Sequence, residues 1–308
     1  MSAGPTTGGF TDIDRQHWTL RYLPAWMRPY GRLARWDRPI GTWLLMLPCW
    51  WSAALGSGSH WGNLIGWMAL FALGAAAARG AGCTWNDIVD RKIDAQVERT
   101  RSRPLPAGEV KLKGALVWMV LQALVCVAIL FKLNKVAGGI ALLSVALVAI
   151  YPTMKRFTSW PQVVLGLAFN WGALVGYAAV TGTLSWATVA LYWGGVAWTL
   201  VYDTIYAMQD QRDDSIIDVR STARRFGDKP RRWLALFALL ALACWAIAGL
   251  LAGLPPLYGA GLLLIALHFA WQIAFLKPDD PADCLARFKS NAQIGLLLTL
   301  AIVVANLA

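Results

Sequence analysis

Residues 79–94 read RGAGCTWNDIVDRKID, an acidic cluster that begins where a strongly apolar stretch ends. A second cluster, residues 203–214 (DTIYAMQDQRDD), also follows an apolar stretch. Carboxylates against a bilayer are energetically costly, so each cluster requires a functional reason. Opposed carboxylates and carboxamides hold hard divalent cations, and Mg²⁺ in turn holds phosphates. The two clusters therefore predict a shared site for Mg²⁺ and a phosphorylated substrate.

The composition indicates a polytopic membrane protein. Only 15% of the 308 residues are charged and 57% are hydrophobic, whereas a soluble domain carries about a quarter charged residues. We expect a single transmembrane domain over residues 1–308, in which residues 1–30 form a cytosolic or interfacial lead-in. The net charge of +11 is better explained by anionic lipid and by membrane topology than by nucleic acid, which we do not expect as a partner.

The apolar segments predict an all-α fold with nine transmembrane helices, since about 20 mostly apolar residues cross the hydrocarbon core. The predicted spans are 39–56, 63–85, 114–131, 136–151, 161–180, 186–207, 233–252, 256–276 and 290–307. With nine spans, nearly all charged connections fall on one face. An excess of Lys and Arg marks the cytoplasmic side. We therefore expect a protein of a bacterial inner membrane with a cytoplasmic N-terminus and an extracytoplasmic C-terminus.

Both acidic clusters show helical spacing. Asn86, Asp90 and Asp94 follow one another at four-residue steps, as do Asp210 and Asp214, so each set shares one helix face. Interleaved basic residues would also suit a solvated, salt-bridged helix end. Two clusters at matching positions after apolar spans favour metal binding over that alternative.

Basic residues are available to bind phosphate oxygens, which need cationic donors. They follow the acidic clusters and the fourth span, at Arg99, Arg101, Arg103, Lys155, Arg156, Arg220, Arg224 and Arg225. Taken alone, Lys155 and Arg156 would fit a positive-inside anchor. Beside two acidic clusters they indicate a diphosphate clamp, and the membrane setting then predicts a lipid diphosphate substrate.

Residues 86–94 contain N-D-x-x-D-x-x-x-D, and residues 203–214 contain D-x-x-Y-A-x-Q-D-x-x-D-D. These resemble the two aspartate-rich motifs of the UbiA superfamily of intramembrane aromatic prenyltransferases. Residues 37–41, 97–105 and 154–162 resemble further signatures of that superfamily. The form YAxQDxxDD together with MKRxT resembles the ubiquinone-pathway subgroup that acts on 4-hydroxybenzoate.

The resemblance implies a helical bundle around a central cavity that both motifs cap on the cytoplasmic side, with Mg²⁺ as cofactor. The metal ligands that it implies, directly or as support, are Asn86, Asp90, Asp94, Asp210, Asp213 and Asp214, with Asp87 in support. Together with the basic residues above, the candidate substrate-binding residues are Arg35, Arg38, Arg79, Tyr151, Lys155, Arg156 and Arg220.

The expected reaction is transfer of a polyprenyl group from polyprenyl diphosphate to the ring of 4-hydroxybenzoate, ortho to the hydroxyl. We expect Asp90, Asp210 and Lys155 to support departure of diphosphate, and Asp203 to orient or deprotonate the phenol. Alternative acceptors are homogentisate, a naphthoate, haem or a chlorin. An alternative from another class is a cation transporter. Tail length and oligomeric state are left open by the sequence.

Overall fold

The computed structural model describes residues 17–96, 100–154, 157–209, 222–227 and 229–308. Within these residues the structure contains helices and turns but no strand, which confirms the predicted all-α class. The helices are α1 (Trp18–Arg21), a 3₁₀ turn (Ala25–Met27), α2 (Arg28–Leu33), α3 (Ile40–Ser57), α4 (Trp61–Asp94), α5 (Leu112–Leu130), α6 (Lys135–Met154), α7 (Pro161–Asn170), α8 (Gly172–Thr181), α9 (Trp186–Met208), α10 (Thr222–Phe226), α11 (Pro230–Leu251), α12 (Leu257–Ala274) and α13 (Pro281–Ala305).

Six helical segments of the described chain are long and apolar enough to cross a membrane. They are Gly62–Asp94, Leu112–Leu130, Pro161–Thr181, Pro230–Leu251, Leu257–Ala274 and Pro281–Ala305. A seventh, Lys135–Tyr151, is apolar but shorter. The two other predicted spans are the helices α3 and α9, which carry several indole rings and, in α9, Asp203. The structure thus confirms a helical membrane protein, and the number nine stays a prediction.

Several predicted boundaries differ from the observed helices. The second span was predicted to end at residue 85, but α4 continues to Asp94, so the first acidic cluster is helical. The ninth span was predicted to begin at residue 290, but α13 begins at Pro281. The fifth predicted span is confirmed as one apolar segment, Pro161–Thr181, within which α7 and α8 meet at Trp171. Before that junction, the Asn170 side chain donates to the Gly166 carbonyl over 2.9 Å. Trp171 keeps right-handed helical dihedral angles, so the junction is a local irregularity within the span.

The chain divides into two compact units. Unit 1 comprises Met1–Pro39 and Gly80–Leu121, and unit 2 comprises Ile40–Arg79 and Gln122–Ala308. Unit 1 has a small apolar core that includes Leu33 and Ile88. The predicted single domain over residues 1–308 stays a prediction.

Unit 2 contains the large apolar core. Its centre is a group of fully buried aromatic rings, in which Trp51 lies 5.3 Å from Trp198 and 5.5 Å from Trp245 between ring centroids. Glycines let the surrounding helices approach closely. A Cβ on Gly176 of α8 would collide with the Cys49 carbonyl oxygen and the Ser52 hydroxyl of α3. This tight packing gives α9, which carries Asp203, a rigid support.

Candidate functional site

The first acidic cluster forms a stripe of oxygen donors on the last turns of α4. Asn86, Asp90 and Asp94 lie four residues apart along this helix, so they share one face. Asp90 is only 1% exposed and Asp94 6%, while Asn86 is half-buried. Carboxylates buried to this degree need charge partners or a bound cation. The helical stripe predicted from the sequence is therefore present in unit 1.

Asp87 lies off this stripe and is held by two arginines. Its Oδ1 accepts hydrogen bonds from Arg35 Nη2 over 2.6 Å and from Arg103 Nη1 over 3.2 Å. Arg103 Nη1 also donates to Asp94 Oδ2 over 2.8 Å. The buried Oδ2 of Asp87 has no hydrogen-bond partner within the described part of the chain. Arg103, which we expected to meet phosphate, thus neutralises the base of the acidic cluster.

Arg35 adopts an unusual backbone conformation to make its contact. Its φ of 59° is left-handed, and it is the one non-glycine residue with positive φ among the residues described. Its Nη1 also donates to the Arg32 carbonyl over 3.0 Å. Burial lowers the pKa of its guanidinium, but Asp87 and other neighbours more than reverse this, so the pKa lies above its ordinary value. A left-handed residue with a side chain costs about 1–2 kcal/mol, and such strain is typical of functional sites.

Arg38 is partly buried beside Asp37. The Nε of Arg38 lies 3.3 Å from Asp37 Oδ2, and Asp37 is only 2% exposed. The structure therefore places both of the predicted arginines that precede α3, Arg35 and Arg38, next to carboxylates of unit 1.

In unit 2, the Arg79 side chain lies against Gly41 and the Phe169 ring. A Cβ added to Gly41 would lie 2.5 Å from Arg79 Nε, so the glycine leaves room for the guanidinium. The Cζ atom of Arg79 lies 5.3 Å from the ring centroid of Phe169 on α7. The Nε is buried and has no hydrogen-bond partner among the described residues. Asp203 on α9 interacts electrostatically with this guanidinium. Arg79 and Asp203, both predicted site residues, are therefore brought together.

Sequence reasoning missed a chain of hydrogen-bonded polar side chains that reaches the residue next to Asp203. Asn170 Nδ2 donates to Thr199 Oγ1 over 2.8 Å, and the hydroxyls of Thr199 and Tyr202 lie 3.0 Å apart. All three side chains are almost fully buried. The available signal was the helical spacing of polar residues 199, 202 and 203 within an apolar span. This chain links α7 to the turn of α9 that carries Asp203.

Several predicted site residues fall outside the described part of the chain. They are Lys155, Arg156, Asp210, Asp213, Asp214 and Arg220. Tyr151 is described and lies half-buried near the end of α6. Within the described residues, no group of three or more His, Cys, Asp or Glu side chains could hold a metal ion. The donors of α4 nevertheless suit Mg²⁺, which takes one or two carboxylates and completes its shell with water and substrate phosphate.

Comparison with known proteins identifies the family of this chain. Residues 45–299 match the model of the UbiA prenyltransferase family. The chain belongs to this family. It is 47% identical over 282 residues to the mitochondrial 4-hydroxybenzoate polyprenyltransferase of Aedes aegypti, covering 91% of this chain and 64% of that protein. It is 44% identical to the Drosophila melanogaster protein of the same name, covering 96% of this chain and 76% of that protein. This UbiA-family chain thus spans about two thirds to three quarters of the length of these relatives.

Solved structures share the fold. A UbiA homologue from Aeropyrum pernix has a TM-score of 0.69 at 23% identity, covering 85% of this chain and 97% of that one. A homologue from Archaeoglobus fulgidus, described as bound to GPP and Mg²⁺, has a TM-score of 0.63 at 18% identity, covering 90% of this chain and 99% of that one. Both likenesses place this UbiA-family chain in the same fold.

The comparison corrects one expectation. The predicted bacterial inner membrane is wrong, because the curated relatives are mitochondrial proteins of eukaryotes, which points to a mitochondrial membrane. The physical reason is that charge asymmetry distinguishes the two sides of a membrane but carries no information about which membrane it is. The integral-membrane part of the expectation holds, since six helices of the described chain can cross a bilayer.

Proposed function

We propose that this UbiA-family protein transfers a polyprenyl group from polyprenyl diphosphate to the ring of 4-hydroxybenzoate, ortho to the hydroxyl, and releases diphosphate. The observation that carries the proposal is its 42–47% identity, over nearly the whole chain, to relatives that are named 4-hydroxybenzoate polyprenyltransferases. The motif YAxQDxxDD, residues 206–214, supports the same acceptor.

We further propose Mg²⁺ as cofactor, since the α4 donors suit it and a homologue of the same fold is described with GPP and Mg²⁺. The residues proposed to hold it are Asn86, Asp90 and Asp94 on α4 and Asp210, Asp213 and Asp214 of the second motif. When bound, the ion would neutralise charge that develops on the departing diphosphate. Asp87 supports these ligands from its buried position, where Arg35 and Arg103 hold it.

The departing diphosphate also needs donors from the protein. We assign this role to Lys155, Arg156, Arg220 and the hydroxyl of Tyr151. The allylic C1–oxygen bond breaks and its electron pair leaves with the diphosphate oxygen. Donors held around that oxygen would stabilise the charge without reorganisation, which is how preorganised sites lower a barrier. An apolar bundle around the allylic cation excludes the water that would otherwise trap it.

The aromatic acceptor requires a cation for its carboxylate and a polar group for its phenol. Arg79 supplies the first, since its buried Nε has no hydrogen-bond partner in the described part of the chain and its guanidinium lies over the Phe169 ring. Asp203 supplies the second and orients or deprotonates the phenol. The phenol oxygen donates electron density to the ortho carbon, which attacks C1, and that carbon then releases its proton. Arg79 and Asp203 together thus fix the ring and its polarity.

We propose the membrane arrangement that this mechanism requires. Nine helices surround a central cavity, and both acidic motifs cap it from the face that bears the charged connections. The six clear spans of the described chain and the helices at the other three predicted positions support this arrangement. A cation transporter is not supported, because both the family and the named relatives are prenyltransferases.

The decisive experiment uses the full-length protein in lipid nanodiscs with a polyprenyl diphosphate and a panel of aromatic acceptors. We expect prenylated 4-hydroxybenzoate and stoichiometric diphosphate in Mg²⁺, and neither product in EDTA. An Asp90→Asn variant serves as the background control. Preference for homogentisate or a dihydroxynaphthoate would refute the proposed acceptor. Turnover that persists in EDTA would refute the proposed requirement for Mg²⁺.

A further inference from the structure

Three aromatic side chains project from the segment that precedes the first membrane helix. Trp18 is 67% exposed, Tyr22 81% and Trp26 70%, at four-residue intervals. This segment comprises α1 and the 3₁₀ turn and lies outside every candidate span. Three large rings exposed within so short a segment point to an interaction surface. We call residues 18–26 the aromatic segment.

The opposite side of the aromatic segment is fixed to unit 1. Leu20 is only 2% exposed, and a Cβ on Gly31 would lie 2.9 Å from its Cδ2 atom. The Thr19 hydroxyl donates to the Trp36 carbonyl over 2.6 Å. The three exposed rings therefore sit on a docked segment that points them away from the core of the unit.

Packing within unit 1 places the chain that follows the aromatic segment next to the second turn of α5. The rings of Tyr30 and Trp36 each lie 5.7 Å from the Trp118 ring, between centroids. Trp118 lies in the second turn of α5, a helix that begins at Leu112 and is apolar enough to span the membrane. Its neighbour Val117 is 60% exposed, as expected for a side chain that faces lipid. The chain that follows the aromatic segment is therefore held where α5 enters the bilayer.

The chemistry of the surface matches the boundary between membrane and water. Indole and phenol rings concentrate in the headgroup layer, because one end of each ring is apolar and the other can bind water. Arg21 lies among the exposed rings, and Lys111 and Lys113 are exposed at the start of α5. Basic residues at this depth are attracted to anionic lipid. The position of these residues beside the start of a candidate membrane span favours lipid headgroups as the partner.

We propose that the aromatic segment is a membrane-surface anchor whose partner is the anionic phospholipid headgroup layer beside α5. Trp18, Tyr22 and Trp26 insert their rings into that layer and Arg21 contacts lipid phosphate. Through Thr19 and Trp36, the anchored segment holds the turn that carries Arg35. The anchor itself does not depend on the proposed reaction.

Depth measurement tests the proposal directly. A spin label is attached at Tyr22→Cys in the full chain, with the five native cysteines replaced, in nanodiscs of phosphatidylcholine with or without an anionic phospholipid. We expect the label to be more accessible to oxygen than to a water-soluble nickel relaxant, and deeper with anionic lipid. The control is Ala107→Cys, an exposed position in the polar connection between α4 and α5, where the nickel relaxant should dominate.

Trypsin cleavage provides a second measurement on the unaltered chain, in case the cysteine replacements impair folding. Cleavage after Arg21 should be about fivefold slower in anionic than in neutral nanodiscs, the factor expected when one basic residue contacts anionic headgroups. Equal cleavage in both lipids, or a Tyr22 label as water-accessible as the Ala107 control, would overturn the proposal. A Tyr22 label shielded from both relaxants would also overturn it and would indicate a protein partner.

Discussion

The guanidinium of Arg35 donates to the carboxylate of Asp87 over 2.6 Å, although 52 residues separate them in sequence. Asp87 adjoins Asn86 and lies three residues before Asp90 on α4. A bond that fixes Asp87 therefore also fixes the rotation of the helix end that bears the proposed metal ligands. We accordingly assign Arg35 a positioning role, in which it acts on the site through Asp87.

Arg35→Met should destabilise the protein and slow turnover. Removing one partner of a buried ion pair leaves an uncompensated charge and costs about 3–5 kcal/mol. Arg103 still contacts Asp87, so we expect a loss near the lower bound, about 3 kcal/mol. Thermal unfolding of the solubilised protein should show a clear decrease in Tm.

Two matched variants separate this effect from simple loss of charge. Arg32→Met removes an ion pair with Glu109, whose side chain is 34% exposed, and exposed pairs contribute at most about 1 kcal/mol. Asp87→Asn added to Arg35→Met removes the uncompensated charge and should restore part of the Tm. Equal losses for Arg32→Met and Arg35→Met would contradict a special role for Arg35.

Asp90→Ala should nearly abolish turnover while the protein remains folded in the membrane. The variant loses a proposed metal ligand, and removal of one strong transition-state stabiliser costs on the order of 10²–10³ in kcat. Mn²⁺ binding followed by EPR should weaken in parallel, which gives a measurement independent of activity. Asp279→Ala, in the exposed connection before α13, is the control. Near-normal turnover in Asp90→Ala would indicate that the acidic cluster is a salt-bridged helix end and not a metal site.

The sequence predicted the parts of the site that depend on local periodicity. Asn86, Asp90 and Asp94 could be placed on one face because four-residue spacing within a continuing helix allows little else. The contact of Arg35 with Asp87 was not predictable, because it depends on a left-handed backbone at residue 35 and on long-range packing. The predicted role of Arg103 as a phosphate donor shows the same limit, since the sequence does not say which acid a given cation meets.

For the fold as well, local features were predictable from the sequence and long-range contacts were not. The apolar segments predicted helices where the structure has them, because length and hydropathy are local properties. The junction of α7 and α8 at Trp171 follows Asn170, whose side chain bonds both its own helix and Thr199 of α9. The second of these contacts exists only after α7 and α9 have packed, so the apolar pattern predicted the span but not this contact.

Lys155→Ala should impair use of the prenyl diphosphate more than use of the aromatic acceptor. Its proposed role is charge-assisted donation to phosphate oxygens, which are its strongest class of partner. We expect an increase in KM for the diphosphate and a lower kcat, measured with the other substrate saturating. Lys155→Arg should recover part of the activity. An increase confined to the KM for 4-hydroxybenzoate would instead assign Lys155 to the acceptor carboxylate.

The connections that follow an even number of predicted spans should all lie on one side of the membrane. Single cysteines at Ala107 and Lys229, both exposed, should react with an impermeant maleimide from the same side of sealed proteoliposomes. Nine crossings require this result, because both connections follow an even number of predicted spans. A cysteine at Gly253, between α11 and α12, should react only from the other side. Labelling of residues 107 and 229 from opposite sides would separate the two acidic motifs and exclude a shared metal site.

Gly41→Ala should weaken binding of the aromatic acceptor without unfolding the protein. The added Cβ would lie 2.5–2.7 Å from the guanidinium of Arg79, and the end of a flexible side chain can move away at little cost. The displaced guanidinium would leave the position over Phe169 from which we propose that it binds the acceptor carboxylate. We expect an increase in KM for 4-hydroxybenzoate, an unchanged KM for the prenyl diphosphate and a Tm close to that of the unaltered protein.

Gly66→Ala, on α4 where an added Cβ meets nothing within 4 Å, is the matched control and should leave both constants unchanged. If Gly41→Ala instead raises only the KM for the diphosphate, Arg79 serves that substrate and Asp203 faces a different partner.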